Sequence, residues 1–399
     1  MPRRRRGRTI ARRQLDEVRQ DSRDGLVYSV DGELRGSENV DGITCFLDAL
    51  LFSLYARHDL FDAMLFGLGE DAAGRLALAL RLWVNMLRAG LLIEEGITRP
   101  LLQRIAECGW RDVHDGQQDA SEAFLFITQA LAMPYFTLTV DLAHSGKEDA
   151  LDDHKVVNER LLYVSIGAPD GPPISLQACL EEFFASQVDV VRGLERRATI
   201  DSSKGNSTHH ETGNWQEGNT QIPAWQFFRL LPFYTCMDPS LPAASLDRPV
   251  LGVCLKRFAM DAEGCMIKNA RRVIVADRIL FPPFIARDSE GTSEGTESQQ
   301  GSELNLLSAV CHRGDSLHSG HYISLVRDPN TGSWLRFDDL ATPKVVPVDG
   351  KKAFSQEDPY LLFYELVHEA SGRGSVEIYK WHTWKHRDPN KHRRDCMVM

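Results

Sequence analysis

The spacing of apolar residues changes near residue 133, and this change restricts the chain to folds that combine helices with strands. Before that point, FLDALLFSLYA, RLALALRLWVNML and QQDASEAFLFITQAL show helical periodicity. After it come short runs rich in β-branched and aromatic residues: YFTLTV, LLYVSI, RRVIVA, LNLLSAVCH, GHYISLV, WLRFDD and YLLFYEL. One further helix, SLQACLEEFF, begins after the capping residue Ser175. Helices followed by mainly antiparallel strands predict an α+β fold.

Composition and cysteine spacing exclude several classes of protein. A chain of 399 residues with 43% hydrophobic and 26% charged residues is not disordered throughout. The eight cysteines form no CxxC pair, so neither a disulfide framework nor a structural zinc site is predicted, and a reducing intracellular compartment fits best. The arginine-rich start lacks the apolar region of a signal peptide, and no apolar run approaches the roughly 20 residues of a membrane span.

Polar segments divide the chain into three parts. Residues 1–36 are predicted as a basic and polar arm, residues 37–368 as the folded domain, and residues 369–399 as a basic aromatic tail. Within the domain, 141–160, 196–220 and 287–303 are predicted as loops.

Charge is distributed unevenly along these parts. Residues 1–13 carry +7 and residues 373–399 carry +4, so the total of −10 leaves −21 for residues 14–372. This pattern predicts a basic macromolecular partner for the body and an anionic surface for the ends, although acidic residues also simply keep a protein soluble.

Cys45 lies at the start of an apolar helix in DGITCFLDALLFSLY, directly after the predicted N-cap Thr44. Unpaired N–H groups and the helix dipole at such a position lower a thiol's pKa and favour the nucleophilic thiolate. Free cysteines are also among the most buried residues, so this segment alone leaves both a nucleophile and a core residue possible.

A base and an orienting acid are available in GHYISLVRDPNTGSWLRFDD. A turn centred on Asn330 and Thr331 pairs the two strands so that Asp338 lies on the same face as His321, one diagonal away. A register shift of one residue would place Asp339 there instead. Either carboxylate would serve a Cys-His-Asp hydrolase, in which the acid orients the imidazole that takes the thiol proton.

Three other histidines compete for these roles. His114 stands apart from this segment, whereas His312 and His318 lie in or before the glycine-flanked loop and are predicted as loop residues or substrate contacts. A metal site formed by His312, His318 and His321 matches no strong ligand spacing.

Five segments in a consistent order resemble the ubiquitin-specific proteases. GITCFLDALLFSLY resembles their cysteine box and SGHYISLV with WLRFDD their histidine box, and the intervening matches are GQQDASEAFLFI, ISLQACLEEFF and RPVLGVCLKRF. The resemblance covers residues 37–367 and implies a papain-like fold with a helical thumb, fingers and an antiparallel β palm. CFLDALLF looks closest to the cylindromatosis-type branch of the family.

The resemblance also implies an activity, the cleavage of the isopeptide bond after the C-terminal glycine of ubiquitin. It implies Cys45 as nucleophile, His321 as general base and Asp338, rather than Asp339, as orienting acid. Asp48 and Asp339 would support this site.

The same resemblance implies contacts with ubiquitin at four positions and no cofactor. Asp119 and Glu122 match acidic positions expected to meet the arginine-bearing ubiquitin tail, and Gln118 and Tyr322 are assigned to the same surface.

Two departures from the family pattern stand out. The family commonly places an oxyanion-stabilising Asn five residues before the cysteine, but Val40 stands there and Asn39 is one position away. Loss of such a donor costs about 2.7–4 kcal/mol in the transition state. A one-residue bulge that displaces Asn39, together with the backbone N–H of Cys45, would compensate. The paired CxxC motifs of the fingers are also missing, which predicts short, zinc-free fingers.

The chain's last four residues, beginning at Cys396, form a CaaX pattern whose final Met favours farnesylation. With the basic aromatic residues upstream, this predicts contact with an anionic cytoplasmic membrane surface, or else a basic tail with an exposed thiol. RRRRGR near the start fits a nuclear localisation patch equally well. No nucleic-acid partner is expected.

The sequence leaves two alternatives to a deubiquitinase. One is a non-catalytic ubiquitin-binding adaptor that retains the fold, and the other is a protease for a different ubiquitin-like modifier. The intact set of Cys45, His321 and Asp338 argues against the adaptor.

Overall fold

A computed structural model describes most of the chain between residues 14 and 368. The described residues are 14–26, 30–66, 69–194, 218–230, 248–260, 266–281, 302–316 and 319–368. The predictions for residues 1–13, His318, Cys396 and most of the loops 196–220 and 287–303 therefore lie outside them.

Helices are concentrated in the first third of the described chain, as predicted. They are α1 (residues 14–24), α2 (Cys45–Tyr55), a 3₁₀ turn (Asp62–Leu65), α3 (Ala72–Arg88), α4 (Glu95–Glu107), α5 (Ala120–Ala130), α6 (Ala150–Asp153), α7 (Leu176–Phe184) and α8 (Gly350–Gln356).

Strands follow from residue 136 onward. They are β1 (Phe136–His144), β2 (His154–Glu159), β3 (Leu162–Ser165), β4 (Ile174–Ser175), β5 (Ala185–Leu194), β6 (Gly218–Leu230), β7 (Val250–Lys256), β8 (Phe258–Met260), β9 (Met266–Lys268), β10 (Val273–Ile274), β11 (Arg278–Phe281), β12 (Ser302–Ser316), β13 (Ser319–Arg327), β14 (Trp334–Phe337), β15 (Val345–Val348) and β16 (Pro359–His368).

Two sheets dominate. The larger has eight strands in the order β15-β14-β13-β12-β16-β7-β3, with β11 paired to β12, and its pairs are antiparallel except β3 with β7. The smaller has four antiparallel strands in the order β2-β1-β6-β5. This mixture confirms the predicted α+β class.

Helix α2 lies at the centre of the larger core, which explains why its sequence is almost entirely apolar. All eleven of its residues are buried. The helix packs against β12, β13 and α5, and Phe52 stacks on Phe337 of β14 at a centroid distance of 4.5 Å. Burial on every side fixes the helix start, and with it Cys45, relative to β13.

The structure differs from the sequence prediction at both ends of the helical region. Residues 14–24 of the predicted polar arm form α1, whose Val18 is buried in the core. The predicted loop 141–160 holds the end of β1, α6 and β2. Helix α4 was not predicted, and it contains Pro100, a residue that usually interrupts helices. No helix in the described ranges is both long and apolar enough to cross a membrane.

Candidate active site

The start of α2 is held by hydrogen bonds from the preceding loop. Thr44 occupies the N-cap position, but its hydroxyl donates to Asp48 Oδ2 at 2.6 Å and accepts from Val40 N at 2.8 Å instead of capping the helix. The backbone N–H of Thr44 donates to Asn39 Oδ1 at 3.0 Å. Asn39 is therefore tied through its side-chain oxygen to the residue immediately before Cys45.

The loop before Cys45 contains two consecutive residues in the left-handed region of backbone conformation. Asp41 and Gly42 both have positive φ, at 52° and 75°. Arg99 of α4 pairs with both carboxylate oxygens of Asp41 at 2.7 Å. Val40 is only 1% exposed. The position five residues before the nucleophile is thus a core position, which explains why it holds an apolar residue.

The Cys45 thiol is buried and lies beside a polar side chain that the sequence analysis missed. Gln117 Nε2 donates to Cys45 Sγ at 3.5 Å, and Gln117 Oε1 accepts from Gly320 N at 3.3 Å. Gln117 precedes α5, one residue before the predicted contact Gln118. It stands two residues before Asp119, the N-cap of that helix, and no signal in the sequence places it beside Cys45.

Burial governs the ionisation of Cys45. It raises the pKa of the thiol to about 12, against the lowering effect of backbone hydrogen bonds from Tyr322 and Phe46. The carboxylates of Asp339 and Asp48 raise the pKa further. The predicted lowering by the helix N-terminus is therefore wrong for this structure, because the loss of hydration outweighs the dipole.

The hairpin β13–β14 has the predicted register. Ser324 pairs with Phe337 and Arg327 with Trp334, as a turn centred on Asn330 and Thr331 requires. His321 Nε2 lies 2.8 Å from Asp338 Oδ1 and 3.5 Å from Asp339 Oδ1. Of the two carboxylates that strand alternation left open, Asp338 makes the shorter contact.

Asp338 is kept ionised by its neighbours. Burial acts to raise its pKa, but the hydrogen bond with His321 and the charge of Arg336 bring the pKa below its ordinary value. Arg336 Nη2 lies 2.6 Å from Asp338 Oδ2, and Leu340 N donates to Oδ1 at 3.2 Å. An ionised acid only accepts hydrogen bonds, so Nε2 of His321 carries the proton and Nδ1 remains basic.

Asp48 and Asp339, the two acids expected to support the site, are more deeply buried than Asp338. Burial raises the pKa of Asp48 to about 8 and that of Asp339 to about 6. His321, Asp338 and Asp339 form the one group in the described ranges with potential ligand atoms close enough to share a metal ion, within 4.8 Å. The guanidinium of Arg336 beside Asp338 disfavours an added cation there.

Of the four residues expected to contact ubiquitin, two are buried and two lie nearer the surface. Asp119 is the N-cap of α5 and accepts from Ser121 N at 2.8 Å, from Tyr360 OH at 2.7 Å and from Tyr322 OH at 3.2 Å. Both Asp119 and Tyr322 are buried. Gln118, which is half-buried, and the exposed Glu122 lie nearer the surface.

Two of the three competing histidines lie within the described residues. His312 is fully buried against the ring of Tyr322, and burial together with the charge of Lys268 lowers its pKa to about 4. It is therefore a core residue, not the loop residue predicted. His114 is exposed.

Comparison with known proteins identifies one family across most of the chain. The family model described as ubiquitin carboxyl-terminal hydrolase matches residues 35–364. Ubiquitin carboxyl-terminal hydrolase 23 of Arabidopsis thaliana is 36% identical over 132 residues, which cover 33% of this chain and 13% of that protein. Ubiquitin carboxyl-terminal hydrolase 48 of Gallus gallus is 47% identical over 104 residues, or 26% and 9% of the two chains. The chain therefore spans only a small part of these relatives.

Solved structures share the fold. A chain of the SAGA Ubp8/Sgf11/Sus1/Sgf73 DUB module bound to ubiquitin aldehyde superimposes with a TM-score of 0.56 at 18% identity, covering 84% of this chain and 69% of that one. The same module with a point variant of Ubp8, bound to monoubiquitin, has a TM-score of 0.56 at 17% identity, covering 85% of this chain and 70% of that one.

Proposed function

This chain belongs to the ubiquitin carboxyl-terminal hydrolase family, and we propose that it is a thiol-dependent deubiquitinase that hydrolyses the peptide or isopeptide bond after the C-terminal glycine of ubiquitin. The observation that carries this proposal is the hydrogen bond of 2.8 Å between His321 and Asp338. His321 lies on β13, which packs against α2, the helix that begins with Cys45. Family membership supports ubiquitin as the partner. The assignment to the cylindromatosis-type branch remains a prediction.

The roles follow from the chemistry of each group. A thiol with a pKa of about 12 is not ionised at neutral pH, so Nδ1 of His321 takes the proton of Cys45 as the sulfur attacks the glycine carbonyl carbon. The described structure contains no hydrogen bond between Cys45 and His321, a contact that commonly tightens only when substrate binds. Asp338 orients the imidazole and stabilises its cationic form.

The remaining steps regenerate the enzyme. The tetrahedral intermediate expels the amine, which receives the proton from His321, and a thioester joins Cys45 to ubiquitin. His321 then accepts a proton from water, which attacks the thioester and releases the ubiquitin carboxylate and the thiol. Asn39 Nδ2 is proposed as one donor to the oxyanion, with Asp48 and Asp339 supporting the loop and the histidine.

For recognition, we assign different tasks to the surface and buried residues. Gln118 and Glu122 are proposed to contact the ubiquitin tail directly. Asp119 and Tyr322 are proposed to act from below that surface, because the hydroxyl of Tyr322 lies 3.2 Å from Asp119 Oδ2 and both side chains are buried.

Turnover of ubiquitin carrying a fluorogenic C-terminal amide tests the proposal. We expect hydrolysis by the unmodified chain, loss of turnover for Cys45→Ala, and covalent labelling of Cys45 by a ubiquitin vinyl-type probe. Binding of ubiquitin without turnover or labelling would leave an adaptor, and turnover of another modifier in preference to ubiquitin would change the substrate.

The membrane anchor is a separate proposal that rests on sequence pattern. We propose that Cys396 is farnesylated and that the basic residues of 369–399 contact an anionic cytoplasmic membrane surface. The test is fractionation of cells that express either the wild type or Cys396→Ser. The substitution should move the protein from membranes to the cytosol only if a lipid on Cys396 anchors it. An unchanged distribution, or an unmodified Cys396 by mass spectrometry, would remove the proposal.

A further inference from the structure

Gln117 lies between the proposed nucleophile and the strand that carries the proposed base. Its amide nitrogen is 3.5 Å from Cys45 Sγ and its amide oxygen is 3.3 Å from the backbone nitrogen of Gly320, which immediately precedes His321. The side chain is half-buried, and both ends of its amide make hydrogen bonds.

The contact with Gly320 fixes which end of the amide faces the sulfur. A backbone N–H only donates, so the group that faces Gly320 is the carbonyl oxygen and the group that faces Cys45 is the NH₂. Gly320 is closely packed, since a Cβ added there would collide with the backbone oxygen of Arg313 and the ring of His312. The donor is thus hydrogen-bonded to a closely packed part of β13.

A donor is needed near this sulfur when the substrate carbonyl is attacked. The negative oxygen forms on the carbon that is bonded to Sγ, so a preorganised N–H group beside Sγ can stabilise it. Val40 provides no side-chain donor, and the amide oxygen of Asn39 is already bound to Thr44 N.

We propose that Gln117 is a catalytic residue whose Nε2 donates a hydrogen bond to the tetrahedral oxyanion, alongside Asn39. The inference rests on the proposed function, since it assigns an additional group to the same reaction. In the unliganded site the same N–H contacts the thiol, and the developing oxyanion replaces the sulfur as its acceptor.

Kinetics of Gln117→Ala and Gln117→Glu with ubiquitin fluorogenic amide test the role. Glu keeps an acceptor for Gly320 but lacks the NH₂ donor, so both variants should lower kcat about 100-fold and change KM by less than about threefold. Gln129→Ala is the matched control, because Gln129 is exposed at the other end of α5. It should retain wild-type kcat.

Alkylation separates oxyanion stabilisation from placement of the sulfur. Iodoacetamide reacts with the Cys45 thiolate by displacement and forms no oxyanion, so the alkylation rate of the Cys45 peptide in Gln117→Ala should stay within about threefold of wild type. A kcat for Gln117→Ala near that of wild type, or an alkylation rate that falls as far as kcat, would overturn the assignment. Absence of turnover in the wild type would instead refute the proposed function.

Discussion

The two halves of the candidate site are built differently. His321 and Asp338 are presented by a regular antiparallel hairpin, and their 2.8 Å contact follows from its register. Cys45 follows a loop with two consecutive positive φ angles, and its side-chain hydrogen bond comes from Gln117, in another loop. The geometry of the strand half therefore follows from the alternation of side chains along paired strands, whereas the geometry of the helix half depends on tertiary contacts between irregular segments.

The largest expected effect tests the strand half. Removing Asp338 by substitution with Ala leaves His321 without its 2.8 Å partner, so we expect kcat/KM to fall by about 10²–10⁴-fold. Asp339→Ala is the internal control: its carboxylate is 3.5 Å from the imidazole, and burial raises its pKa to about 6. Steady-state hydrolysis of ubiquitin fluorogenic amide gives both values, and an equal or greater loss for Asp339→Ala would reverse the assignment.

The same contrast explains how much the sequence could predict. Helix α2, the hairpin register and the proximity of an acid, Asp338 or Asp339, to His321 follow from periodicity and turn chemistry, which are local properties. The choice of Asp338 came from the resemblance to the family. The roles of Gln117 and Arg336 do not, because they depend on which loops meet in space.

Burial produced the clearest error in the sequence analysis. The position of Cys45 next to the N-cap predicted a lowered pKa for its thiol. The depth of α2 in the core, however, is set by all the elements around the helix. Burial at that depth raises the pKa of Cys45 to about 12. A residue's distance from solvent is not a local property of the sequence, so the sign of this shift could not be read from the helix signal.

A second test concerns the buried acid on the helix half. The pKa of Asp48 is raised from 3.8 to about 8 by burial, so the folded protein retains a proton that the unfolded chain releases between about pH 4 and pH 8. Stability must therefore fall as the pH rises through this window. Asp48→Asn lacks this group, and its free energy of unfolding relative to wild type should rise from pH 5 to pH 8 by an amount on the order of a few kcal/mol.

Urea unfolding at the two pH values measures that difference. Asp170→Asn is the matched control, because Asp170 is exposed, and it should show no comparable pH dependence relative to wild type. A constant difference between Asp48→Asn and wild type would mean that Asp48 is ionised in the folded protein, and that the helix half tolerates a buried charge.

The smallest expected effect asks whether the helix half can be converted to the usual family pattern. Val40→Asn places an amide five residues before Cys45, but this position is 1% exposed and its backbone N–H is committed to Thr44 Oγ1 at 2.8 Å. Burying the amide without partners should lower the free energy of unfolding by about 1–3 kcal/mol and leave kcat no higher. Val156→Asn, the same change at a residue that is 66% exposed, should alter stability by less than about 0.5 kcal/mol. A stable and faster Val40→Asn variant would show that the loop can rearrange to present residue 40 to the oxyanion, and that the backbone conformation at Asp41 and Gly42 does not determine which donors the site uses.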